Sequence, residues 1–102
     1  MLGMNTMKQL TILVNIYARP DQTTLVQTEL EKLVPITLNE PGCIRYELHR
    51  NNLDPAHFMF YETWATRELW QAHMVQPHVA AYAQATDGAV RDVTLNEMTS
   101  LS

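Results

Sequence analysis

At 102 residues the chain is one domain's worth of sequence, too short for a catalytic domain beside a separate binding domain. Hydrophobic residues make up 46% and charged residues 18%, the balance of a folded globular protein, which excludes disordered, collagen-like and low-complexity architectures. Seven basic against eleven acidic residues give a net charge of -4, and the basic ones are scattered from Lys8 to Arg91, so nucleic acid and anionic membrane surfaces are poor partners.

The first periodic segment is Gln9 to Ala18, where Leu10, Ile12, Val14 and Ile16 alternate with Thr11, Leu13, Asn15 and Tyr17. This is a period-2 strand with apolar groups on both faces. Pro20 or Asp21 can start a helix, and Val26, Leu30, Leu33, Val34, Thr37 and Leu38 then recur at spacings of three and four, an amphipathic stripe. Pro35 lies inside that helix and should kink it, and Glu40-Pro41-Gly42 should stop it. Cys43 to Arg50 alternates again, with Ile44, Tyr46 and Leu48 on one face and Cys43, Arg45, Glu47 and His49 on the other. Turn formers from Asn51 to Pro55 lead into a third strand, His57 to Trp64, with Phe58, Phe60, Glu62 and Trp64 on one side. Thr66 can cap a short helix whose inner positions are Leu69, Trp70, His73 and Met74. Pro77 interrupts it and starts a second segment to Thr86, set at an angle to the first. Asp87-Gly88 ends that segment, and Val90 to Met98 reads as a last strand.

The order strand, helix, strand, strand, helix, strand is the ferredoxin-like α+β arrangement, βαββαβ, with one antiparallel sheet and helices on a single face. Residues 9–98 are expected to form this single domain, with an N-terminal extension at 1–8 and a tail at 99–102. Strands one and three are apolar on both faces, so the uncovered face should meet a second copy in a homodimer with a shared barrel-like core. The single Cys43 allows no intrachain disulfide or multi-cysteine zinc site and reads as a small core hydrophobe. No apolar run approaches the roughly 18 residues a bilayer requires, and the Met-rich start lacks a leader's apolar core, so a cytoplasmic location is expected.

Few residues break the apolar pattern, and those few are the candidates for chemistry. His73 and His78 bracket Pro77, and the bend there decides whether the imidazoles share one space. On a straight helix they would stand about 140° apart, a poor metal pair, and no metal is expected. Glu62 sits mid-strand beside Phe60 and Trp64, where an ionised carboxylate is costly unless a donor or cation meets it. It can orient one of the imidazoles as a general base, or it can form a plain ion pair with Arg45 or Arg50. Asn15, polar among Val14, Ile16 and Tyr17, either bonds neighbouring backbone or holds a substrate oxygen. Trp64, Phe60, Trp70 and Tyr82, with Phe58 and Tyr46, can wall a flat aromatic cavity or simply pack as core. No glycine-rich phosphate loop, nucleophile elbow or Cys-x-x-Cys is present.

Glu40-Pro41-Gly42-Cys43 leading into Tyr46, Asp54-Pro55 and Phe58, Tyr61-Glu62-Thr63-Trp64, and His73-x-x-x-Pro77-His78-x-x-x-Tyr82 together resemble the antibiotic biosynthesis monooxygenase domain, including its small quinol monooxygenase members. The resemblance spans about residues 9–98. It implies a dimeric α+β barrel that oxygenates dihydroxylated or polycyclic aromatics with dioxygen and without flavin, haem or metal. Haem-degrading relatives use an asparagine, a tryptophan and a histidine. Asn15 looks like the first, but His73 stands where the tryptophan would fall, which argues against haem degradation.

Cofactor-free oxygenation requires a base that makes the substrate an electron donor, a dry pocket, and a donor for developing negative charge on oxygen. The expected set is His73 or His78 as base, Glu62 as its orienter, Asn15 as polar anchor, and Trp64, Tyr82, Phe60 and Trp70 around the substrate. An isomerase acting on a small keto or quinone compound, and a non-catalytic dimeric binder of a flat molecule, would use the same residue types.

Overall fold

The computed structural model describes residues 8–102. Most of the N-terminal extension expected at 1–8 therefore lies outside the described residues. Strand β1 (Leu10–Ala18) is followed by a 3-10 turn at Pro20–Gln22 and helix α1 (Thr23–Thr37). Next come β2 (Cys43–Asn51), β3 (Asp54–Trp64), α2 (Arg67–Met74), α3 (Pro77–Ala85) and β4 (Val90–Met98). The four strands form one sheet in the order β2-β3-β1-β4, every neighbouring pair antiparallel. This is the ferredoxin-like α+β fold.

Alternation decides which side of the sheet is covered. In β1, Ile12 and Ile16 are buried, and through the register they neighbour Glu62 and Phe58 of β3. Val26, Leu30 and Leu33 of α1, with Trp70 of α2, close over Phe58, Phe60, Trp64 and Tyr46 to make the core. The other face carries Leu13, Asn15, Tyr17, His57, Met59 and Tyr61, all only half-buried, because no helix lies there.

Strand β2 departs from the expected alternation. Cys43 pairs with Trp64 and Arg45 with Thr63, so Ile44 is the extra residue of a bulge. Ile44 is thereby turned to solvent, and Cys43 packs against the core on the side of Tyr46 and Leu48, the reverse of a regular strand. Strand β3 begins earlier than expected, at Asp54, because Asn51 and Asp54 pair across a tight connection. Pro35 does lie inside α1, but in its last turn, so the helix ends at Thr37 soon after it. The chain leaves α1 through Leu38 to Pro41 and turns into β2 at Gly42, whose φ is +82° and where an added Cβ would run into Leu69 of α2.

The sequence pattern also identifies the ends of α2 and α3. Thr66 caps α2 by accepting from Leu69 N at 3.2 Å. Gln76 is extended (ψ 150°) and Pro77 opens α3, so the two helices are separate segments that change direction between His73 and His78.

Candidate active site

A cleft of about 160 Å³ opens between the helix-covered face of the sheet and the three helices. Phe60, Glu62 and Tyr46 of the sheet, Trp70 and His73 of α2, and Tyr82 of α3 supply its aromatic and ionisable lining, and the remainder is aliphatic apart from Met74. A wider hollow of about 440 Å³ lies on the bare sheet face, between Leu13, Met59 and Tyr61 and residues 98–102, but its only ionisable side chain is that of Tyr61. The inner cleft is where acid-base groups meet an apolar wall.

Glu62 is 3% exposed in the middle of β3. Neither Arg45 nor Arg50 reaches it: Arg45 pairs with Glu47 and Arg50 bonds Gln27. Its one protein hydrogen bond comes from Trp64, whose Nε1 donates to Oε1 at 2.9 Å. Burial pushes the Glu62 carboxyl up to about 7, the Trp64 bond pulls the other way, and the nearby Glu40 adds a smaller rise. Burial likewise raises the hydroxyls of Tyr46 and Tyr82, so both are neutral donors at ordinary pH.

The orienting carboxylate of the histidines is Glu40, not Glu62. His73 Nδ1 donates to Glu40 Oε2 at 2.7 Å, and His78 Nε2 donates to the same oxygen at 2.8 Å. Thr37 Oγ1 lies 3.3 Å from that His78 nitrogen. Separated by a single five-residue step, the two rings would diverge on a straight helix, but the break at Gln76-Pro77 brings their centroids to 5.9 Å. With Nδ1 donating to Glu40, His73 keeps the lone pair of Nε2, on a ring that lines the cleft. Tyr46 meets this ring edge-on at 5.6 Å and Trp64 packs on it at 4.9 Å, so its position is set by packing as well as by Glu40.

Among the described residues, Glu40, His73 and His78 are a group whose ligand-type atoms all lie within 4.8 Å of one another. The carboxylate oxygen already accepts from both ring nitrogens, so the cluster satisfies itself by hydrogen bonds.

The structure separates the expected site residues into three sets. Glu62, His73, Phe60, Trp70 and Tyr82 line the cleft together. Trp64 and His78 stand behind it: Trp64 is fully buried and holds Glu62 rather than forming wall, and His78 lines an outer groove with Ile36 and Tyr82. Asn15 is on the bare face of the sheet, where it accepts from His57 Nε2 at 2.7 Å and donates to Thr94 Oγ1 at 3.3 Å. Its odd position in β1, out of phase with Ile12, Val14 and Ile16, sends the amide away from the cleft. Glu40 is the residue the sequence reading missed as a participant. In the sequence it is part of a helix stop, and only the fold carries it to the histidines, which lie 33 and 38 residues further on.

The family model described as Antibiotic biosynthesis monooxygenase matches residues 9–85. The chain is 28% identical over 96 residues to an Escherichia coli K12 protein named "Probable quinol monooxygenase YgiN", covering 84% of this chain and 92% of that one. Among solved structures, one described as an antibiotic biosynthesis monooxygenase superposes with a TM-score of 0.85 at 26% identity, over 91% of this chain and 99% of its own. PA3566 from Pseudomonas aeruginosa superposes with a TM-score of 0.89 at 24% identity, over 93% and 96% of the two chains, a likeness of fold.

Proposed function

The chain belongs to the antibiotic biosynthesis monooxygenase family, and from that premise we propose that it oxygenates a small dihydroxylated or polycyclic aromatic with dioxygen and without a cofactor. The observation that carries this reading is the His73 ring, fixed by Glu40 at 2.7 Å, on a mostly apolar cleft that it shares with Glu62. The similarity to a protein named as a quinol monooxygenase supports the choice of substrate class.

A dihydroxyaromatic supplies its own two electrons. Hydroquinone plus dioxygen gives hydroxyquinone plus water, so the balance needs no outside reductant. His73 Nε2 takes the phenolic proton, and Glu40 stabilises the imidazolium that forms. The phenolate then passes one electron to dioxygen. The two radicals combine at carbon, and cleavage of the O–O bond sends one oxygen out as water. Glu62, poised near pH 7 on the cleft floor, is suited to return a proton to the departing oxygen. Phe60, Trp70 and Tyr82 keep the ring flat and water out. His78 holds Glu40 from the far side, and Trp64 holds Glu62.

The bare sheet face with Leu13, Met59 and Tyr61 fits a homodimer. Asn15, on that face, is proposed to act in the polar network with His57 rather than on substrate.

The test is oxygen consumption by chelator-treated protein given hydroquinones, naphthols and anthrones. Uptake that falls at least about a hundredfold in His73→Ala supports the oxygenase. Turnover of a keto substrate without oxygen uptake would instead identify an isomerase built on the same base.

A further inference from the structure

The hydrogen bonds around Glu40 gather three metal-type donor atoms in a nearly dry place. One carboxylate oxygen of Glu40 and one ring nitrogen each of His73 and His78 all lie within 4.8 Å of one another. The side chains of Glu40, His73 and His78 are only 10%, 4% and 13% exposed. On a straight helix the two imidazoles would diverge, which argues against a metal, but the break at Gln76-Pro77 removes that objection. Zinc bonds imidazole nitrogen and carboxylate oxygen at about 2.0–2.2 Å, so its ligand atoms stand roughly 3.3 Å apart in a tetrahedron. The nitrogen–oxygen contacts of 2.7 and 2.8 Å need to open by only about half an ångström to admit such an ion.

The surrounding charge favours a cation. Among the described residues no lysine or arginine pairs with Glu40, whose ion-pair partners are the two imidazoles. Glu62 is close enough for the Glu40 charge to raise its carboxyl. A buried carboxylate with a second acidic group nearby gains more from a divalent ion than from two hydrogen-bond donors. The ion also has a way in, because His78 lines an outer groove of about 130 Å³ with Ile36 and Tyr82. Thr37 Oγ1 adds a neutral oxygen 3.3 Å from His78 Nε2.

We propose that Glu40, His73 and His78 form a three-ligand site for a borderline divalent cation of the zinc class, water completing the fourth position, and that the bound ion switches the cleft off. Binding moves two protons and releases none. His73 shifts its proton from Nδ1 to Nε2 and His78 from Nε2 to Nδ1, and the ion takes the two vacated lone pairs together with Glu40 Oε2. With Nε2 protonated, His73 has no lone pair left to accept a phenolic proton. The inhibition rests on reading His73 as the base; the site itself does not.

Calorimetry of chelator-treated protein with zinc, and competition against cobalt, whose tetrahedral complex absorbs visible light, test the site. One ion per chain should bind, zinc should displace cobalt, and magnesium and calcium should not compete. Glu40→Gln and His78→Ala should each lose at least about a hundredfold in zinc affinity, and His49→Ala and His57→Ala less than about twofold. The chain has four histidines, so the ring nitrogen-15 spectrum of the parent reports them together without any variant having to fold. Zinc should exchange the protonated nitrogen of His73 and His78 and leave His49 and His57 as they are. Affinity retained in both Glu40→Gln and His78→Ala, or signals that move only at His49 and His57, means adventitious surface binding and overturns the proposal. So does a failure to bind zinc at micromolar concentration. Oxygen uptake with 1,4-naphthohydroquinone separates this from the oxygenase reading, since zinc has no redox chemistry of its own. Zinc held by these three residues in a protein that consumes no oxygen rejects the oxygenase and leaves the site standing. Uptake undiminished at full zinc occupancy overturns the inhibition, and His73 as the base with it.

Discussion

Glu62, proposed above as a proton donor, opposes stability where it stands. Its carboxyl is raised from 4.5 to about 7, so between those values the folded chain binds a proton that the unfolded chain has released. Stability from this group is full below pH 4.5 and is lost as pH rises through 7. Glu62→Gln, whose side-chain oxygen can still accept from Trp64, should therefore be more stable than the parent at pH 8, by at most about 3 kcal/mol. The difference should shrink towards zero by pH 4.5. Urea midpoints at the two pH values measure it, and a gap that does not change with pH would refute the burial argument. Glu40 acts differently: Glu40→Gln should leave the fold intact and lower kcat by about ten- to a hundredfold, since the amide still contacts His73 but cannot balance an imidazolium. The burial of Glu62 was legible from its neighbours Phe60 and Trp64 on one strand face. The partnership of Glu40 was not, because no local period links a turn after α1 to two helices beyond β3.

Elements depend on a few positions where backbone geometry is demanding. Thr66→Ala should cost about 1 kcal/mol through loss of the α2 cap, and Thr66→Asn should restore most of it. Gly42 and Gly88 both have positive φ, but a Cβ at Gly42 would strike Leu69 whereas one at Gly88 meets open space. Gly88→Ala should cost about 1–2 kcal/mol from φ alone, and Gly42→Ala clearly more. Thermal unfolding of the pair compares them directly. An equal loss would mean that α2 shifts freely, and the placement of His73 with it. Strand alternation could be read along β1 and β3 because both have one face against helices. In β2 the bulge at Ile44 breaks the period and moves Cys43 to the inner side, and a one-residue insertion of this kind leaves no mark in a hydrophobic pattern.

At the scale of the molecule, helices sit on only one side of a single sheet, and the shortest extent is 19 Å. The bare face holds Leu13, Tyr17, Met59 and Tyr61 around the Asn15–His57 hydrogen bond, the surface on which the proposed homodimer would form. Sedimentation at micromolar concentration should give two associated chains, and Leu13→Asp should give one, with its far-UV spectrum unchanged. A monomeric parent would reject the dimer. Among the described residues no helix is long and apolar enough to cross a membrane.

The sequence by itself determined the order of elements, the alternation along β1 and β3, the helix break at Pro77 and the cost of burying Glu62, because each follows from neighbours a few residues apart. Only the tertiary structure decided that both imidazoles share Glu40 and that the helices cover the Ile12 face of β1 rather than the Asn15 face. Those are convergences of segments far apart in the chain. Their distances are set by how helices settle on a sheet, which no short-range period encodes.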